Sequence, residues 1–194
     1  MDETSFQKRH EYVTVVCDLD APRGTGVLYV GDDRTEASLA RFYAGLDDAG
    51  RNGIAQVAMD MWPAYIKATT KALPSADRKI VFDKFHVAKH LGDAVNSVRI
   101  EEHRTLKAIG DHRLAKTKYT WLRHTDAMTK RERGIFAELR QSGLKVARAW
   151  AIKEMAMGLW GYQLRGWAEK AWNRWYSWAI RCRLKPITKV ARMI

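Results

Sequence analysis

Two short apolar runs, each stopped by an aspartate, constrain this chain more than anything else in it. Val57-Ala58-Met59-Asp60 runs into Met61-Trp62-Pro63-Ala64-Tyr65, and Ile80-Val81-Phe82-Asp83 runs into Lys84-Phe85-His86. Each reads as a short buried strand that delivers a carboxylate to a sheet edge, with a helix beginning just after it. Two carboxylates placed close together repel unless a cation sits between them. Asp60 and Asp83 therefore suggest a hard-metal site, since Mg²⁺ is held by few carboxylates and keeps waters and substrate phosphates as its other ligands. The plainer reading has one aspartate capping the helix after it and the other paired with a lysine; Asp60, just ahead of Met61-Trp62-Pro63, suits a cap. Spacing leaves both open.

The surrounding elements give those runs a setting. Tyr12–Cys17 is a β-branched strand, Pro22-Arg23-Gly24-Thr25-Gly26 is turn chemistry, and Val27–Val30 follows as a second strand, so the pair predicts a hairpin. Asp33 with Glu36 has capping-box spacing and opens a helix bearing Leu39, Phe42, Tyr43 and Leu46 on one face. Gly50 to Gly53 breaks it; a strand at 54–60, a helix begun by Pro63 and a strand at 80–83 come next. This order predicts an α/β domain with a mixed sheet. After His86 no strand signal remains. Val87, Leu91, Val95 and Val98 share one face of a helix reaching about residue 107, residues 111–129 are less regular, and 130–182 is helical in at least two segments. The expected division is residues 1–86 and an all-α region, 87–194.

Charge divides at nearly the same place. Residues 1–83 hold ten Lys and Arg against thirteen Asp and Glu, whereas residues 84–194 hold twenty-four against nine. A polyanion such as DNA or RNA is the partner this implies, because neutralised phosphates release condensed counterions; a solvated basic helical face is the alternative. Ala168, Ala171, Trp172, Trp175, Ala179 and Cys182 fall on one helical face, with Lys170, Arg174, Ser177 and Arg181 opposite. Lys170, Arg174 and Arg181 are the candidate phosphate contacts. The tryptophans at 150, 160, 167, 172, 175 and 178 read as packing between helices rather than as stacking platforms for bases.

Other classes are excluded. No apolar run is long enough to span a bilayer, and Met1-Asp2-Glu3 is unlike a signal peptide. Cys17 and Cys182 are too few for a disulfide framework or a zinc cluster, so a reducing cytoplasm is expected. No phosphate loop, HExxH helix, GxSxG elbow or CxxC pair occurs. Asp18 and Asp20 read as turn residues. His86 reads as a hydrogen-bonding prop or as a ligand or base, and His90, His103, His112 and His124 form no convincing metal set. On composition alone Asp2 and Glu3 carry almost no weight.

Several motifs in order add a resemblance. Asp2 to Thr14, Val57 to Tyr65, Val81-Phe82-Asp83-Lys84-Phe85-His86-Val87 with its Asp-x-x-His pattern, and Trp172 to Arg192 resemble segments of bacterial insertion-sequence transposases of the ISL3 group. The resemblance covers almost the whole chain. It implies an RNase H-like catalytic domain with an Asp-Asp-Glu triad, a β-β-β-α-β-α-β order in which Asp2 lies on the first strand, and an all-α insertion region after it. It implies that Asp2 and Asp60 are catalytic and hold Mg²⁺ or Mn²⁺, with Asp83 and His86 as signature residues near the site.

The implied chemistry is metal-dependent cleavage of DNA ends followed by attack of a 3′-hydroxyl on a target phosphodiester. The family's final Glu lies beyond the Arg181–Arg192 region, and Glu154 and Glu169 sit inside the apparent insertion, so the chain is expected to be an internal piece without its third acid or an upstream recognition module. DNA is the expected partner, with no membrane, homo-oligomers or assembly with full-length transposase, and a bacterial, nucleoid-associated location. The other readings are a non-catalytic DNA-binding remnant that interferes with full-length transposase, and a stand-alone RNase H-like nuclease using Asp83 as a third carboxylate.

Overall fold

The computed structural model describes residues 12–22, 26–123 and 128–194, together with the backbone of 2–5. The chain divides into two compact units, Met1–His86 and Val87–Ile194.

In the first unit, β1 (Asp2–Ser5), β2 (Tyr12–Cys17) and β3 (Val27–Gly31) form an antiparallel sheet in the order β1-β2-β3. Asp2 stands opposite Val15, and Val15 opposite Val30. The expected hairpin is present, with a register shift between Val16 and Cys17. Helices α1 (Glu36–Ala44) and α2 (Asp48–Gly53) follow, then β4 (Val57–Met59), α3 (Pro63–Ala72), α4 (Ala76–Lys79) and β5 (Ile80–Phe82). Strands β4 and β5 pair in parallel as a separate two-stranded sheet. The chain thus has mixed α/β content but is mostly helical.

Where a single mixed sheet was expected, the described residues form two. The strand expected at 54–60 is only Val57–Met59, and among the described residues its ladder partner is β5. What joins the sheets is a common core: Val16 of β2, Val57 and Met59 of β4, Leu39 and Tyr43 of α1, and Tyr65 and Ala68 of α3. Burying each of the larger apolar side chains, such as Val57, Met59 and Leu39, contributes about 1.5–3 kcal/mol. Two hydroxyl pairs enter this core, while the buried Ser38 hydroxyl has no hydrogen-bond partner among the described residues. The Thr14 and Tyr65 hydroxyls lie 2.8 Å apart and those of Tyr43 and Thr69 2.9 Å apart. Burial pushes the Tyr43 phenol above its ordinary pKa, against the opposing hydrogen bond to Thr69. At Gly31, where β3 meets α1, a Cβ would collide with the Ser38 hydroxyl, which would have to shift.

The cap of α1 also differs from expectation. Thr35, not Asp33, is the N-cap, accepting from the Ser38 N–H at 3.2 Å. Asp33 instead orients Thr35, accepting its N–H at 2.9 Å and its hydroxyl at 2.7 Å. These bonds hold the Asp33 carboxyl below its usual range, the Thr35 backbone N–H contributing most. Glu36 then ties α1 to α3 through Lys67 at 2.8 Å and Lys71 at 2.7 Å.

The second unit is all-α among its described residues. It comprises most of α5 (Lys84–Ala108), then α6 (Lys118–Leu122), α7 (Lys130–Gln141), α8 (Lys145–Met157), a 3₁₀ turn (Gly158–Gly161), α9 (Arg165–Arg181) and α10 (Lys185–Met193). Val87, Leu91, Val95 and Val98 are buried, as their spacing predicts. Trp121, Phe136 and Trp150 stack edge to face with centroids 5.1 and 5.0 Å apart, linking α6, α7 and α8. Thr129 and Glu132 form a capping box on α7. Glu102 of α5 accepts the Lys145 and Val146 N–H groups at 2.7 and 2.8 Å, satisfying two orphan donors at the start of α8. Trp175 is fully buried and donates its indole N–H to the Ile152 carbonyl at 3.0 Å.

Candidate active site and candidate DNA-binding helix

The local sequence explains why Asp60 and Asp83 leave the sheet side by side. Strand β4 alternates buried Val57, half-buried Ala58 and buried Met59, so Asp60 falls between two inward methionines, Met59 and Met61. Pro63 starts α3 because it fixes a helical φ and lacks the N–H that a first turn leaves unpaired. Met59 pairs with Phe82 in the parallel register, and the Asp83 N–H donates to the Met59 carbonyl at 3.0 Å. Asp60 and Asp83 are therefore the next residues along two adjacent strands, roughly 5 Å apart by the ordinary strand spacing.

Each carboxylate is oriented by a backbone N–H two residues on. Asp60 Oδ1 accepts from Trp62 at 3.0 Å, and Asp83 Oδ1 from Phe85 at 2.7 Å. This answers part of the plainer reading. Asp83 immediately precedes α5 and serves its first turn, whereas the cap position of α3 belongs to Trp62, not to Asp60. One hydrogen bond to one oxygen leaves an ionised carboxylate with further lone pairs for a cation. Trp62 is itself fixed: its indole N–H donates to the Arg34 carbonyl at 2.9 Å, and the Arg34 guanidinium lies 4.5 Å from the Trp62 ring centroid and 4.1 Å from that of Tyr12. Neither Arg34 nor Tyr12 stands out in sequence, because nothing local signals a cation sandwiched between rings 50 residues apart.

His86 sits in the first turn of α5, half-buried, its ring 5.7 Å from that of Phe85. Its Nδ1 is buried without a hydrogen-bond partner among the described residues. Asp2 stands on β1 opposite Val15, and its side chain lies outside the described residues. Among the described residues no group of three or more His, Cys, Asp or Glu side chains gathers as a metal cluster. The late acids are in the second unit and engaged there, Glu154 with Lys153 at 2.7 Å and Glu169 with Arg165 at 2.8 Å.

Lys170, Arg174 and Arg181 all lie exposed on α9. Lys170 Nζ is 5.2 Å from the Trp167 centroid, and Arg181 Nε donates to the Ser177 carbonyl at 3.0 Å. The expectation that the late tryptophans pack as core holds for only part of them. Trp150 and Trp175 are buried, but Trp160, Trp167 and Trp178 are exposed. For Trp167 and Trp178 the cause is that α9 packs one side against α8 and α10 and these two side chains fall off that side; Trp160 lies in the 3₁₀ turn. No described helix is long and apolar enough to cross a membrane.

Comparison with known proteins gives these features a context. The profile of DDE transposases of the ISL3 group, described as "Transposase", matches residues 1–194. The transposase of insertion sequence element IS1001 from Bordetella parapertussis is 29% identical over 197 residues, covering 100% of this chain and 47% of that protein. The transposase of IS1557 from Mycobacterium tuberculosis is 24% identical over 218 residues, covering 100% of this chain and 48% of that protein. The chain thus spans about half the length of the curated relatives it matches. No solved structure matches it significantly. A family match running the whole length of the chain places it in the ISL3 family of insertion-sequence DDE transposases.

Proposed function

We propose that the first unit is the RNase H-like catalytic core of a transposase that cleaves and transfers DNA strands, and that the basic helical unit is an insertion that holds DNA. The observation that carries this reading is the placement of Asp60 and Asp83 on adjacent parallel strands at one sheet edge, each carboxylate oriented by a backbone N–H. Membership of a DDE family implies a divalent metal. The donor chemistry present fits one: two hard carboxylates at a sheet edge, Asp83 exposed and Asp60 half-buried, with the buried His86 Nδ1, unpartnered among the described residues, in the next turn.

Asp60 would hold Mg²⁺ or Mn²⁺ together with Asp2, with Asp83 beside them. Bound there, the cation would supply an activated water and charge stabilisation at the phosphodiester. The protein's own part is positional. The buried Met59 and Met61 anchor the chain on either side of Asp60, and the indole of Trp62, pinned to Arg34, keeps the N–H that orients the carboxylate from drifting. Lys170, Arg174 and Arg181 would contact phosphates, which positions DNA without reading its sequence. DNA at the nucleoid is the partner this implies.

The test is strand nicking of plasmid DNA in Mg²⁺ or Mn²⁺, with Asp60→Ala as control. The expected outcome is at most weak metal-dependent cleavage, and Asp60→Ala should abolish what there is. Cleavage that survives Asp60→Ala would overturn the assignment.

A further inference from the structure

Phosphate contacts leave part of the outer surface of α9 without a role. At about 100° per residue, Trp167, Lys170, Arg174, Trp178 and Arg181 fall within one narrow arc of the helix. All five are exposed, Trp167 to 60% and Trp178 to 38%, while Trp175 on the packed side of the same helix is fully buried. No acid shares the arc. Glu169, the one acidic residue of α9, lies outside it and is held by Arg165 at 2.8 Å. The stripe therefore alternates flat apolar rings with cations: indole, ammonium, guanidinium, indole, guanidinium.

A phosphate-only partner has no use for the indoles. In duplex DNA the base faces are hidden in the stack, and the cations alone would meet the backbone. An unpaired strand offers both halves of the complement, since every base has a face to stack on an aromatic ring and every linkage has a charge. The two indoles are roughly 16 Å apart along the helix axis, at 1.5 Å per residue, so each would hold a separate base, with Arg174 between them for the intervening backbone.

We propose that this face of α9 binds unpaired DNA, with Trp167 and Trp178 stacking on bases and Lys170, Arg174 and Arg181 on phosphates. The inference rests on the DNA reading above and adds to it a preference for strand opening. Stacking tolerates any base, so the preference concerns strandedness and not sequence.

The test is binding of the 194-residue chain to a labelled single strand and to its duplex across a salt series. Trp167→Ala with Trp178→Ala should lower single-strand affinity on the order of tenfold per platform and leave duplex affinity within about twofold of the parent. Phe at both positions should restore most of the loss, because it keeps a stacking face. Lys170→Ala with Arg174→Ala should weaken both forms and flatten the salt dependence. Equal loss on single strand and duplex in the Trp→Ala double variant, or no loss on either, overturns the proposal while leaving DNA binding standing. So does a change confined to self-association in sedimentation, which would assign the stripe to a contact between copies. A chain that binds neither form sinks the DNA reading of the helical unit as well.

Discussion

The two units differ in what they expose. The first carries slightly more acid than base, keeps its carboxylates at a sheet edge and buries its aromatic residues Tyr43 and Tyr65 in the core. The second carries all the excess positive charge and leaves Trp160, Trp167 and Trp178 in solvent. Acidic oxygens at the end of a rigid strand pair suit a cation. Exposed rings among Lys and Arg suit a polyanion. The difference teaches that the overall positive charge of the chain is a property of one helical region, so the proposed chemistry and the proposed DNA retention should be separable by mutation.

If the units have their own cores, damage to one should stay there. Trp175→Ala should cost about 3–5 kcal/mol, because it opens a cavity among α8, α9 and α10 and removes the indole hydrogen bond to the Ile152 carbonyl. Hydrogen exchange should then rise through residues 145–193 while protection around Leu39 and Tyr65 persists. Loss of protection in both regions at once would break the comparison.

A smaller effect should follow from Glu102→Ala, which strips the acceptor from the Lys145 and Val146 N–H groups. It should cost about 1–2 kcal/mol in chemical denaturation and fray the first turn of α8 without touching the first unit.

The charge division predicts a further split. Lys170→Ala with Arg174→Ala should reduce the slope of log affinity for duplex DNA against log salt by about 2, whereas Asp60→Asn should leave affinity within about twofold. A salt slope that Asp60→Asn alters more than the Lys170 and Arg174 changes do would assign DNA to the wrong unit.

Acid should give the smallest effect. Hydrogen bonds from Lys67 and then Lys71 hold the Glu36 carboxyl below its ordinary value of 4.5. A depressed folded pKa means stability present above that ordinary value and lost as pH falls through the folded one. Thermal melts between pH 7 and pH 3 should show a slight loosening of the first unit that Glu36→Gln flattens. Glu132 behaves likewise in the second unit, its carboxyl held down chiefly by the Thr129 N–H.

What the sequence disclosed was local. The Tyr12–Val30 hairpin, the strand-Asp-helix junctions and the buried face of α5 follow from alternation, turn residues and 3.6-residue spacing, which neighbouring positions encode by themselves. The transposase family was legible too, through several motifs in order. What depends on distant partners was not. Asp33 and Thr35 both suit a cap, and only the packing of α1 decides that Thr35 faces Ser38. Trp167 and Trp175 are alike as residues, and which one is buried depends on where α8 and α10 lie. At the candidate site the juxtaposition of Asp60 and Asp83 was readable from the two runs, but the Arg34 stack that fixes Trp62 was not.

The most direct test of the central claim, that Asp60 holds a divalent cation at the sheet edge with Asp83 beside it, is paramagnetic broadening of backbone amide signals when Mn²⁺ is added to the isotopically labelled chain. The account predicts broadening centred on Met61, Trp62, Lys84 and Phe85, abolished by Asp60→Asn. Broadening that survives Asp60→Asn, or that appears only among residues 87–194, would contradict it.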